Sequence, residues 1–172
     1  MTVQNQDYIN RIPKLIALGL FALYFLWCAI TPGRWHFIDG VNLAVHEGGH
    51  VILSFMGEFI EMAAGSLMQL LIPAAFVIYF FYRGQRYSGS LVLMWLGQSF
   101  INLSVYVGDA VVMELPLVGG GIHDWNYLLE RMHLLSATPF LAFMARATGT
   151  LIILAGIVLA YHYTKSEENE SL

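Results

Sequence analysis

Residues 63–82 run for twenty positions without a charged side chain. A bilayer's hydrocarbon core needs about 20 apolar residues to be crossed by a helix. Inside lipid, backbone polar groups have no water to bond, so a segment of this length has to satisfy them within itself as a helix. Pro73 is placed to kink it. Three further runs follow the same rule. Residues 15–30 are apolar and aromatic until Thr31, Pro32 and Gly33 end them. Residues 91–107 are apolar apart from Gln98, Asn102 and small hydroxyls, and residues 140–163 apart from Arg146 and His162. Before the last run, Thr138 and Pro139 read as an N-cap followed by proline at the first helical position.

Composition agrees. Charged residues make up 12% of the 172-residue chain, against about a quarter in soluble domains. The net charge of −4 argues against a nucleic-acid surface. A single cysteine, Cys28, rules out a disulfide framework within the chain. Arg11 and Lys14 precede the first apolar run, which is long and lacks a small-residue cleavage site, so it reads as a retained anchor helix. The expectation is an all-α fold: a polytopic membrane helix bundle of about 4–6 membrane-embedded helices. Residues 1–164 form one domain, and residues 165–172 form a polar, acidic, disordered tail.

Two segments are less apolar. Residues 38–59 are helix-like with one polar face, because Asp39, Asn42, His46, His50 and Ser54 follow three- and four-residue steps. Residues 123–135 read as a short amphipathic or half-inserted helix, reached through a flexible connection containing Gly119, Gly120 and Gly121. Orientation depends on the first of these. Arg11 and Lys14 favour a cytoplasmic amino end, and Arg83 and Arg86 favour a cytoplasmic loop of their own. These votes conflict if 38–59 spans the membrane and agree if it is re-entrant.

His46, Glu47, Gly48, Gly49 and His50 fit H-E-x-x-H. On a helix, histidines four apart lie one above the other and can occupy two corners of a tetrahedral zinc site. The glutamate between them can take a proton from a water whose pKa the metal lowers to about 7. Gly48 and Gly49 each weaken a helix by about 1 kcal/mol relative to alanine, which points to a packing or access role. Ionisable residues in a membrane segment cost roughly 2.5–3.5 kcal/mol on insertion scales and are functional by default.

A third ligand has to come from elsewhere, and Asp39, Asp109, His123, Asp124, Glu130 and His133 are the choices. Asp39 lies two turns along the same helix, too far to join the metal. Asp124 is favoured over a plain helix-capping role. His123 is the runner-up, and His133 reads as an interfacial or core residue. Gln98 and Asn102 share a helix face and read first as interhelical hydrogen bonders. Arg146 either snorkels to the interface or pairs with a carboxylate. Trp27, Trp35 and Trp95 read as interface belts or packing.

The motif helix and the later aspartate give a resemblance to the site-2 protease family of intramembrane zinc metallopeptidases, spanning residues 42–135. The resemblance implies Zn2+ held by His46, His50 and Asp124, with Glu47 as general base. It departs from that family in lacking an Asn-Pro-Asp-Gly signature, where Ile122, His123, Asp124, Trp125 and Asn126 stand instead, and in lacking a PDZ-like insertion. It is nearer to small, minimal members. The expected function is hydrolysis of peptide bonds in membrane-protein substrates, by a multi-pass integral membrane protein partnered by the lipid bilayer. Asp39, Asn42 and Gln98 are expected to line a water path to the site. Two alternatives use the same residues: a non-proteolytic metal-binding membrane protein (a transporter or another hydrolase), and a structural subunit whose polar stripe packs helices.

Overall fold

The computed structural model describes residues 3–118 and 121–166. Gly119 and Gly120 of the expected flexible connection, and residues 167–172 of the expected tail, lie outside the described residues. Among the described residues the fold is all α: α1 (Val3–Ile30), α2 (Phe37–Leu53), α3 (Glu58–Tyr82), α4 (Arg86–Gly108), α5 (Asp124–Arg131) and α6 (Thr138–Ser166). Four helical segments are long and apolar enough to cross a membrane: Arg11–Ile30 in α1, α3, α4 and Leu135–Thr164, which includes most of α6. These cover the four apolar runs. Helix α3 continues through Pro73, and α6 carries Lys165 and Ser166 of the expected tail as helix.

The interior and exterior are arranged for an apolar solvent. Leu23, Ile78, Leu151 and Val158 are all exposed, a surface that would aggregate in water. Helices α4 and α6 form the tightest pair. A Cβ on Gly97 would lie 2.6 Å from the Gly149 carbonyl oxygen and 2.8 Å from Ile153 Cγ1. Small residues let membrane helices approach closely enough for dispersion contacts to hold them. Leu18 and Phe25 of α1 pack with Met94, Ile101 and Ile153 to complete the core.

The bundle has two distinguishable ends. At one, the Tyr87 hydroxyl donates to the Lys14 carbonyl at 2.5 Å, and the Arg86 guanidinium lies over the Tyr163 ring at 5.8 Å. The start of the α1 span, the α3–α4 turn and the end of α6 therefore lie together. At the other end, Arg34 and Trp35 share a cavity wall with residues 115–118, and Tyr127 of α5 donates to Glu58 at the start of α3 at 2.8 Å.

Helix α2 follows a different path. Its 17 residues measure about 25 Å. It starts beside the middle of α4, where the Gln98 and Asn102 amides donate to Asp39 Oδ1 at 2.6 and 2.9 Å and Trp95 Nε1 donates to Asn42 Oδ1 at 2.9 Å. It ends beside the first turn of α3, where His50 meets the Glu61 carbonyl. Thus α2 rises from mid-bundle to the end that holds both its flanking connections.

Three local expectations are corrected. The 38–59 segment is not one helix, because it breaks after a short 3-10 turn at Gly57, whose φ of 90° favours glycine. Ser54 leaves the buried polar face and is exposed, bonding the Val51 carbonyl. Thr138 is not an N-cap: a 3-10 turn at Leu135–Ala137 leads directly into α6, and the Thr138 hydroxyl is buried without a partner. The entry is made by continuous helical backbone, so its N–H acceptors come from the preceding turn.

Candidate metal centre

Helix α2 stacks His46 and His50 one turn apart, with ring centroids 4.8 Å apart. Asp124, the first residue of α5, reaches both. Its Oδ2 lies 2.9 Å from His46 Nε2 and 3.1 Å from His50 Nε2. Tetrahedral zinc with bonds near 2.1 Å separates its ligand atoms by about 3.4 Å. The observed spacings are a few tenths shorter, so a small outward movement would admit an ion. These three residues could hold a metal.

The hydrogen-bond pattern calls for a proton or a metal ion between His50 and Asp124. His50 Nδ1 lies 2.7 Å from the Glu61 carbonyl oxygen. A carbonyl only accepts, so Nδ1 carries a proton. Neutral His50 then points the Nε2 lone pair at the Asp124 carboxylate. Two lone pairs at 3.1 Å repel unless a proton or a metal lies between them. The Asp124 hydrogen bond raises the His50 pKa, against an opposing effect of burial. Burial alone would raise the Asp124 pKa, but the bonds from His46 and His50 together hold it below its ordinary value. The Glu61 carbonyl also orients the imidazole, as outer hydrogen bonds do for metal-binding histidines.

Two glycines let α3 approach this close. A Cβ on Gly65 would lie 2.5 Å from both His46 Nε2 and His50 Nε2. A Cβ on Gly49 would instead run into the Ala64 backbone carbonyl, with Gly65 Cα at 3.0 Å. Gly49 is therefore the α2–α3 packing glycine, and Gly65 leaves the space where the two nitrogens converge. Gly48 has open space around it. Gly49→Ala should destabilise the fold by about 1–3 kcal/mol, the usual cost of overpacking, and Gly48→Ala should not. Thermal unfolding of both variants in detergent checks this.

The competing ligands are occupied elsewhere. His123, not Asp124, caps α5: its Nδ1 accepts the Asn126 N–H at 3.3 Å. Its Nε2 faces Asp109 Oδ2 at 3.3 Å. Asp109 also accepts the Glu114 and Leu115 N–H groups at 2.9 and 3.0 Å, so it closes the loop after α4. Glu130 and His133 are exposed, with His133 in a left-handed conformation at the end of α5. Arg146 is exposed on α6.

A cavity of about 260 Å³ adjoins the centre and includes His46 and Glu47 in its wall. Glu47 is half-buried and makes no hydrogen bond or ion pair among the described residues. The expected water path is only partly correct. Asp39 lines the cavity, but Asn42 and Gln98 do not; Gln69 and Asn102 stand there instead. Asn42 and Gln98 are sealed behind them, bonded to one another at 2.7 Å. This confirms Gln98 and Asn102 as interhelical hydrogen bonders. Trp95 joins the same network, and Trp35 is exposed at the cavity rim.

Sequence reasoning missed Gly65, Tyr106 and His36. The Tyr106 hydroxyl accepts the Asp124 N–H at 3.2 Å and its ring meets His46 edge-on at 5.6 Å. His36 Nδ1 lies 3.1 Å from Asp39 Oδ2, and its backbone N–H donates to the same oxygen at 2.7 Å. Only the histidine type of His36 was a signal; Gly65 and Tyr106 carry none in an apolar helix. Comparison of the chain with known protein families, curated proteins and solved structures finds no match.

Proposed function

We propose that this chain is a membrane-embedded zinc metallopeptidase that hydrolyses peptide bonds of membrane-protein substrates. His46, His50 and Asp124 hold the zinc, and Glu47 is the general base. The observation that carries this reading is the convergence of two imidazole nitrogens and one carboxylate oxygen, drawn from two helices, beside an unpartnered glutamate in a cavity wall. Two histidines and a carboxylate form a ligand set used by catalytic zinc, which supplies Lewis acidity for hydrolysis. Glu47 takes the proton of the attacking water and returns it to the leaving amine. Tyr106 steadies Asp124 through its backbone N–H. The amides of Gln98, buried, and Asn102, in the cavity wall, both donate to Asp39 and so anchor the start of α2.

Glu47 separates this reading from a transport or storage role, in which it would serve as a ligand. Glu47→Gln should retain zinc at wild-type stoichiometry and lower turnover by about 10²–10⁴-fold, the range for loss of a general base. The checks are elemental analysis of detergent-purified protein and cleavage of quenched fluorescent transmembrane peptides in vesicles. Zinc lost with Glu47, or turnover unchanged without it, would reject the assignment.

A further inference from the structure

We infer that both ends of the described chain lie on the cytoplasmic side of the membrane, and that the metal centre opens on the opposite side. Helix α2 sets the number of crossings. It begins at mid-bundle against Asn102, Gln98 and Trp95, and it ends beside Glu61 in the first turn of α3. The connection before it (Arg34, Trp35) and the turn after it (Gly57) lie at the same end of the bundle. Helix α2 therefore enters and leaves by one face. The chain crosses four times, through α1, α3, α4 and α6, and α2 adds no crossing.

That count places the charges. The Tyr87–Lys14 bond and the Arg86–Tyr163 contact gather the start of the α1 span, the α3–α4 turn and the end of α6 at one end. Arg11, Lys14, Arg83, Arg86 and Lys165 belong to that end, five of the eight basic residues in the chain. The other end has Arg34 and Arg131, while Arg146 lies within α6. Lys and Arg near span ends stay on the cytoplasmic side, and carboxylates contribute little to that choice. The two groups of basic residues that would disagree around a spanning α2 therefore agree. Asp124, Glu58 and the cavity wall formed by Arg34 and residues 115–118 face away from the cytoplasm.

A substrate consequence follows, and it rests on the peptidase reading whereas the topology does not. The scissile segment is one presented at the non-cytoplasmic end of a membrane-protein helix.

The test uses the full chain in bacterial spheroplasts, with Cys28→Ser removing the native thiol. Single cysteines are placed at two exposed sites, Gln85→Cys in the α3–α4 turn and Glu114→Cys beyond α4. A membrane-impermeant maleimide should label Glu114→Cys in intact spheroplasts and Gln85→Cys only after permeabilisation. A carboxyl-terminal fusion keeps the question open to test if a cysteine variant misfolds. A fluorescent protein fused there should fluoresce, and alkaline phosphatase fused there should be inactive. The reverse labelling, or an active phosphatase fusion, overturns the orientation. Labelling of both cysteines from one side overturns the four-crossing path. Neither readout depends on zinc or turnover, so failure here is separate from failure of the peptidase assignment.

Discussion

Gly65→Ala is expected to leave the helix bundle folded and to strip the metal. The new Cβ would sit 2.5 Å from the Nε2 atoms of both His46 and His50, closer than a carbon and a ring nitrogen can remain. Its obstacles are the tips of two side chains, which can rotate away, whereas the Gly49 Cβ meets immovable backbone. The stability cost is therefore small, and alanine in a helix regains about 1 kcal/mol of propensity over glycine. The rings that swing away no longer converge on Asp124. Apparent zinc-site energies of about 10–16 kcal/mol over four ligands correspond to roughly 2.5–4 kcal/mol per ligand. Disturbing both histidines should therefore weaken zinc by at least about a thousandfold and abolish turnover with it. Zinc content after dialysis against a weak chelator, read beside the unfolding temperature, is the measurement. Normal zinc in folded Gly65→Ala protein would show that the ion does not sit between these nitrogens.

Asp124→Ala and Asp124→Ser should both lose zinc and activity. Serine is an able helix cap, but α5 takes its cap from His123, so capping ability cannot rescue position 124. Removing the carboxylate deletes the one oxygen that faces both imidazoles and leaves the ion's charge uncompensated in a buried site. The expected loss is again about 2.5–4 kcal/mol of zinc affinity. His123→Ala gives the contrast. It removes a cap worth about 1 kcal/mol and a bond to Asp109, so it should lower the unfolding temperature and retain zinc. Isothermal titration of zinc into metal-free variants separates the two. If Asp124→Ser bound zinc normally, the third ligand would lie elsewhere.

The four long helices were legible because membrane insertion is decided by local composition: uncharged runs such as 63–82 leave the backbone only helical solutions. The same locality made His46, Glu47 and His50 legible, since helical periodicity alone brings positions four apart onto one face. Sequence order, however, is blind to contacts across helices. Asp124 and His123 are adjacent and both chemically able to cap or to ligate. Only the packing of α5 against α3 turns one toward the histidines and the other onto its own helix. Gly65 and Tyr106 sit in runs where any small or aromatic residue would insert equally well, and they matter only because α3 and α4 pass beside His46. The path of α2 has the same origin. Its polar face could have spanned a water-filled pore, but Gln98 and Asn102 of α4 donate to Asp39, and Trp95 donates to Asn42, at mid-bundle, and the helix returns to the face it came from. Helices, their apolar exteriors and the paired histidines are each a property of one segment, and so follow from local sequence. The third residue of the candidate metal centre, the space left by Gly65 and the path of α2 rest on the packing of the helices, because each is a distance between segments far apart in the chain.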